Sequence, residues 1–420
     1  MTRLALLLAA ALPLSAAAES PSPAPAAPPR LGGVTVDLGG WLAFGTFATF
    51  GALDSNELPR AAVRPSTERT FGMTARQSRL RAALGLPSDG LLADARLDGL
   101  VELDFMGGSV GGDGSLPLVR LRHAWISAAF GGPAHLTVLL GQDWGLMGGP
   151  NVPVSLGHLA VPRFSGAGLL YRRAPQLRVS ASFGGDLSVR AEGALLAPLD
   201  RAVTPAATAA WPDRPPPTGV GARSGLPDAE GRVSLRLQRG GRPLLELGLS
   251  GHAGRERWLL TGGGQDVNAS VDSYGGALDA RLDLPRVTAL AGAFLGKNLD
   301  VLSTLSAGVT LSLDAQGQPL AVTGVTVMGG FGQVAVAPLP WLHLVAGAGV
   351  EQAERKELPA NPADGTVPLR NLQASGGALV DLTSRWQGGV EYTAYLTRYV
   401  GVPDRDVWSG QLEVSSRYAF

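Results

Sequence analysis

Residues 408–420 read WSGQLEVSSRYAF, an alternating stretch that ends the chain. Leu412, Val414, Tyr418 and the terminal Phe420 fall on one face, and Gln411, Glu413, Ser415 and Arg417 on the other. Successive side chains of a strand leave opposite faces, so such a segment can turn one face to lipid and the other to a watery lumen. An aromatic carboxy-terminal residue on a strand of this kind predicts the closing strand of a barrel in the bacterial outer membrane. Tyr418 and Phe420 are then the expected signal to the barrel-assembly machinery, and outer-membrane lipid is the expected surround.

The amino end agrees. Arg3 precedes an apolar run from Leu4 to Leu14, followed by Ala16-Ala17-Ala18, the small-x-small pattern of a signal-peptidase site. The run is shorter than the roughly 20 residues a spanning helix needs. Residues 1–18 are therefore expected to be a cleaved signal peptide. Pro, Ala and Ser dominate Glu19 to Pro29, a composition that cannot bury a core, which predicts a periplasmic tether over 19–31 and a transmembrane barrel over 32–420.

Composition narrows the class. There are 58 glycines and no cysteine, and 45% of residues are hydrophobic, yet no second long apolar run follows the first. Absence of cysteine suits an oxidising envelope. The formal net charge is zero, so no global basic field points to nucleic acid. Lys297 and Lys356 are the lysines; the remaining cations are arginines, whose planar fork suits carboxylates.

Reading the period of two along the chain gives an all-β, closed, antiparallel transmembrane barrel. Val34 to Phe44 and Arg79 to Leu86 alternate, and the clearest case sets Leu97, Val101, Leu103 and Phe105 against Arg96, Asp98, Glu102 and Asp104. Those charges cannot face lipid, where Arg or Lys at the midplane costs about 2 to 4 kcal/mol. Comparable patterns recur at 119–130, 177–183, 187–196, 233–238, 245–249, 274–284, 371–382 and 386–398. Three further segments, 287–297, 327–338 and 341–351, look like strands whose two faces cannot be told apart. Short turns alternate with longer loops at 51–75, 106–116, 145–162, 198–230, 254–270, 298–326, 353–369 and 400–405. This alternation predicts 16 strands, with short periplasmic turns and long extracellular loops. Trp41, Trp125, Trp341, Trp386 and Trp408 lie near strand ends, where rings can sit at the membrane interface.

Ala75-Arg76-Gln77-Ser78-Arg79-Leu80, Val101-Glu102-Leu103-Asp104-Phe105, Leu121-Arg122-His123-Ala124-Trp125 and Leu140-Gly141-Gln142-Asp143-Trp144 occur in an order and spacing that resemble the DcaP-like outer-membrane porins. The resemblance continues through Ala293 to Leu299 and Gly329 to Gln333. It implies a trimeric, sixteen-stranded porin whose basic channel favours small anions, including dicarboxylates. Some members carry a coiled coil at the amino end; Glu19 to Pro29 cannot form one, so a homotrimer would rest on the barrel walls.

Arg79, Arg81, Arg96, Arg120, Arg122, Arg178 and Arg190 fall on expected inward faces. Such a wall can draw anions inward, because low-dielectric walls focus the field. The same arginines could instead pair with Asp98, Glu102, Asp104 and Glu192 as a structural ladder. Residues 145–162 form the third long loop, which either folds into the lumen or stays outside; folded inward, Asn151, His158 and Arg163 would touch solute.

Enzymatic chemistry finds little support. Gly107-Gly108-Ser109-Val110-Gly111 matches G-x-S-x-G without the strand-to-helix elbow that exposes the serine. An outer-membrane lipase would need a Ser/His pair at the lipid-facing surface, for which His123, expected on the outward face of its strand, is the only hint; its simpler role is interfacial packing. The other histidines are too scattered to suggest a metal, and no cofactor is implied. The expected function is passive diffusion of small anionic solutes; the alternative is a non-conducting barrel acting through its loops as a structural or adhesive surface protein. A soluble β-solenoid or sandwich would not leave one face apolar on most strands.

Overall fold

The computed structural model describes residues 30–31, 33–64, 67–107, 118–132, 134–198, 219–262, 265–313, 319–359, 367–401 and 403–420. The expected signal peptide and most of the tether lie outside them. One antiparallel sheet of 18 segments holds the chain. Two are short: Arg30–Leu31, which folds back on Val34 and Thr35, and Phe71–Thr74, which continues the second strand. Sixteen remain. They are β1 (Val34–Phe50), β2 (Arg79–Leu86), β3 (Ala95–Gly107), β4 (Leu118–Phe130), β5 (Thr137–Trp144), β6 (Arg173–Gly184), β7 (Leu187–Leu196) and β8 (Asp228–Arg239). The second half comprises β9 (Arg242–Gly262), β10 (Gln265–Leu284), β11 (Val287–Lys297), β12 (Thr326–Leu339), β13 (Leu342–Ala353), β14 (Pro368–Asp381), β15 (Trp386–Tyr399) and β16 (Arg405–Ala419).

Closure joins β1 to β16 from Trp41 opposite Ala419 to Phe50 opposite Gly410. Phe420 completes the seam: its N–H donates to Gly40 O and its carbonyl accepts from Gly40 N, both at 3.2 Å. Closure satisfies every ladder hydrogen bond that hydrocarbon would otherwise leave unmade. Deleting Phe420 should remove two backbone bonds, each contributing about 1 kcal/mol, and lower the yield of heat-modifiable barrel on refolding; an unchanged yield would show the seam does not need it.

The outer surface is an apolar band that includes Leu38, Leu42, Phe44, Leu249, Leu278, Leu295, Val390 and Trp408. Trp341, Trp386 and Trp408 project into it as expected. Trp41 and Trp125 do not. Trp41 turns into the lumen beneath the Arg79 guanidinium, 4.0 Å from its ring centroid, and Trp125 lines an inner recess with Arg81, Arg96 and Asp98. His123 is also inward, contrary to the alternation. A register shift between Glu102 and Leu103 lets Glu102 face His123 while Leu103 faces Leu121. The extra residue, Arg122, is a bulge that reverses the faces beyond it.

The fifth long loop is shorter than its composition suggests, because β9 and β10 stay paired up to Gly262 opposite Gln265. The three segments with indistinct faces are β11, β12 and β13. Their inward residues Leu290, Phe294, Phe331 and Val345 are apolar because each covers a loop packed inside the barrel.

Candidate functional site

Residues 145–172 leave β5 and run around the inner wall instead of projecting outward. The wall holds them through polar side chains on the inward faces of β8, β10, β12 and β15 and through Gln77 just before β2. Glu230 on β8 accepts from the N–H groups of Leu146 (2.5 Å) and Met147 (3.1 Å). Asp279 on β10 accepts from Asn151 Nδ2 at 3.0 Å. Gln333 on β12 bonds both the N–H and the carbonyl of Val154. Glu391 on β15 accepts from Ser155 Oγ and from the N–H groups of Leu156 and Gly157 at 2.8–3.0 Å. Gln77 takes the N–H groups of Leu159 and Ala160.

The loop's second half is locked by Arg163, which is 1% exposed. Its Nη2 lies 2.7 Å from Glu413 and 3.2 Å from Glu391, and Nη1 donates to Thr393. Glu391 and Glu413 are directly opposed across β15 and β16, an arrangement that is unfavourable unless a cation separates them. Arg163 therefore does not reach solute; it bridges two wall carboxylates. Phe164 adopts a left-handed φ of 67°, unusual for a bulky residue, and is held there by stacking on Phe331 and by Gln373, which accepts from its N–H. Gly168 (φ 104°) passes so close to β12 that a Cβ would stand 2.2 Å from Gly330 O. Residues 51–64 and 298–308 also pack inside, where Ala62 N donates to Thr397 Oγ1 and Glu351 accepts from Leu305 and Ser306 N–H.

These segments cover the inner wall of β11–β16. Open space lies along the early strands, where the arginines stand. Arg120 grips Asp104 with two bonds (2.9 and 2.6 Å), and Arg122 bonds both Glu102 and Asp104 at 2.8 Å. Arg79 contacts Glu102 at 3.2 Å and donates to Leu159 O at 2.7 Å. Arg120 and Arg122 also donate to Ala160 O. Arg122 is buried, so its charge acts on the lumen through the low-dielectric wall, whereas Arg81, Arg96 and Arg190 reach lumen water. Arg96 pairs with Asp98 at 2.8 Å, Arg190 with Glu192 at 2.9 Å, and Arg178 with Asp143 at 3.3 Å.

Two cavities follow this wall. One of about 490 Å³ is lined by Trp41, Arg79, Arg122, Trp144, His158 and Arg417 among others. The second, of about 260 Å³, lies beyond Trp144 and is lined by Arg178, Arg190, Arg232 and Arg236 with Asp143, Glu192 and Glu246. His158 thus borders the first cavity, and Asn151 lines a third recess with Arg236 and Arg281. Sequence reading missed Arg173, whose guanidinium lies 5.0 Å from the Trp144 ring centroid, and put Arg417 on the polar face of the last strand without counting it in the basic wall, where it flanks Trp41. It also missed the carboxylate anchors. Their signal was Glu, Asp and Gln on inward faces, without meaning until a loop is placed against them. Most of the G-x-S-x-G segment, including Ser109, lies outside the described residues.

A closed sixteen-stranded antiparallel barrel with an apolar outer band and loops packed into a charged lumen has the fold of bacterial outer-membrane porins. Solved structures agree. The chain is similar to the outer-membrane channel DcaP of Acinetobacter baumannii, with a TM-score of 0.70 at 14% identity over 92% of this chain and 97% of that one. It is also similar to an anion-selective porin from Comamonas acidovorans (TM-score 0.52, 12% identity, 92% and 100% covered) and to the trimer form of Vibrio cholerae OmpT (0.50, 12%, 92% and 99%). No family model matches the chain, and a search of curated proteins returns no match.

Proposed function

We propose that this chain is a diffusion porin that favours small anions, carboxylates and dicarboxylates among them, and that it works as a homotrimer after an export signal over 1–18 is removed. The carrying observation is the charge on the inward faces of β1–β7. There Arg79, Arg81, Arg96, Arg120, Arg122, Arg173, Arg178 and Arg190 outnumber Asp37, Asp98, Glu102, Asp104, Asp143 and Glu192. An unbalanced guanidinium wall beside a narrowed lumen raises the local concentration of anions. Two similar structures, an anion-selective porin and a trimer form, support the same reading.

The infolded loop supplies the narrowing, with His158 and Asn151 bordering the passage and Arg163 holding the loop in place. Assembly would proceed through the carboxy-terminal strand, where Tyr418 and Phe420 meet lipid and the assembly machinery. Planar-bilayer recording of the purified protein with chloride, phosphate and succinate salts, together with a cation series, tests the proposal. The expected result is open-channel current with a reversal potential set by the anion. No current, or a potential that follows the cation, would overturn it, and the absence of current would favour a non-conducting surface barrel.

A further inference from the structure

The lipid face of this wall should carry no charge within its apolar band, yet Arg370, Arg398 and Asp406 stand on it at the extracellular ends of β14, β15 and β16. Side-chain alternation places Arg370 with exposed Leu372, Arg398 with exposed Tyr392, and Asp406 with exposed Trp408. Height decides whether they meet acyl chains. From Trp386 at the periplasmic end of β15 to Arg398 is 12 residues. At about 3.3 Å per residue and a tilt near 40°, that is about 30 Å of vertical rise, just above a band about 25 Å tall. Trp408 sits one rung below, since it opposes Leu396 where Asp406 opposes Arg398. The arginines therefore occupy the level of the outer-leaflet head groups.

Arg370 and Arg398 are also direct cross-strand partners, and like charges so placed repel. Asp406 relieves only part of this. Its two oxygens accept from Arg398 Nε and Nη2 at 2.7 and 2.6 Å, so both are committed to Arg398, which also feels Asp404, and Arg370 is left with only the longer-range field of Asp406. At Glu391 and Glu413 an opposed like-charged pair is resolved by the counter-ion Arg163 between them; on the lipid side Asp406 and Asp404 act on Arg398, and among the described residues no carboxylate is bonded to Arg370. We propose that Arg370 and Arg398 bind the phosphorylated head group of an outer-leaflet glycolipid, whose acyl chains descend along Leu372, Tyr392 and Trp408. Guanidinium forks match phosphate oxygens in geometry and charge, and the apolar column beneath suits a lipid over a free anion.

Native mass spectrometry of the full-length protein in detergent, titrated separately with bis-phosphorylated lipid A, its dephosphorylated counterpart and inorganic phosphate, tests this. Retained adducts are expected with the phosphorylated lipid alone. The double substitution Arg370→Gln with Arg398→Gln should weaken that binding about tenfold or more, the size expected for losing charge-assisted contacts to phosphate. Equal retention of the dephosphorylated lipid would overturn the proposal. So would inorganic phosphate binding as well as the lipid, which would mark a free-anion site, or an unchanged affinity in the folded double variant. The comparison of the three probes on the unaltered protein decides the matter even where the variant does not assemble.

Discussion

Exchanging Arg163 for alanine is expected to raise single-channel conductance several-fold while leaving the barrel closed. The guanidinium is the only cation within ion-pair distance of both Glu391 and Glu413 among the described residues. Removing one partner of a buried ion pair costs about 3–5 kcal/mol, because the remaining charge stays dehydrated. Glu391 also organises the N–H groups of Leu156 and Gly157, so its rehydration would pull residues 155–157 from the wall. The backbone ladder between β15 and β16 runs from Trp386 opposite Tyr418 to Tyr399 opposite Arg405 and does not depend on this side chain. The penalty should therefore fall on the loop. Bilayer recording beside a heat-modifiability gel separates the outcomes: larger current from an intact barrel supports the clamp, and an intact barrel with unaltered conductance rejects it. Deleting Asn151 to Gly157 should act in the same direction.

Reversing the charge of Arg120 and Arg122 together is expected to shift the reversal potential toward cations. Asp104 now accepts from both arginines, so the exchange would turn a net cationic cluster into a crowd of carboxylates. Arg122 and Arg120 also hold Ala160 O, and their loss would loosen the loop as well. A second pair, Arg81→Glu with Arg190→Glu, changes guanidinium groups that reach lumen water without touching the loop. Both pairs should move the potential the same way, and the movement should shrink from 0.1 M to 1 M salt as the screening length falls from about 10 to 3 Å. No shift from either pair would remove the basis for anion preference.

Much of the wall was legible in the sequence, because period-two alternation is a local property and lipid penalises every charged residue on the wrong face. The limits of reading lay where a strand departs from strict alternation or meets something other than lipid and water. At Arg122 one extra residue turned His123 and Trp125 inward, and no local pattern announces a bulge. On β11, β12 and β13 both faces are largely apolar, apart from inward polar residues such as Gln333 and Glu351, since one face meets lipid and the other meets residues 145–172 and 298–308. Arg163 looked like a solute contact because a basic residue in a loop shows nothing of the two carboxylates, more than 200 positions later in the chain, that bury it.

The sequence by itself determined an alternating, sealed wall with an apolar exterior and an arginine-rich early half, since each of these follows from neighbours along the strand. Tertiary structure alone decided which lumen charges are spent on one another, where the third loop lies and which arginines still face water. Those outcomes depend on register between distant strands, and register is set by the closure of the whole barrel, not by any segment within it.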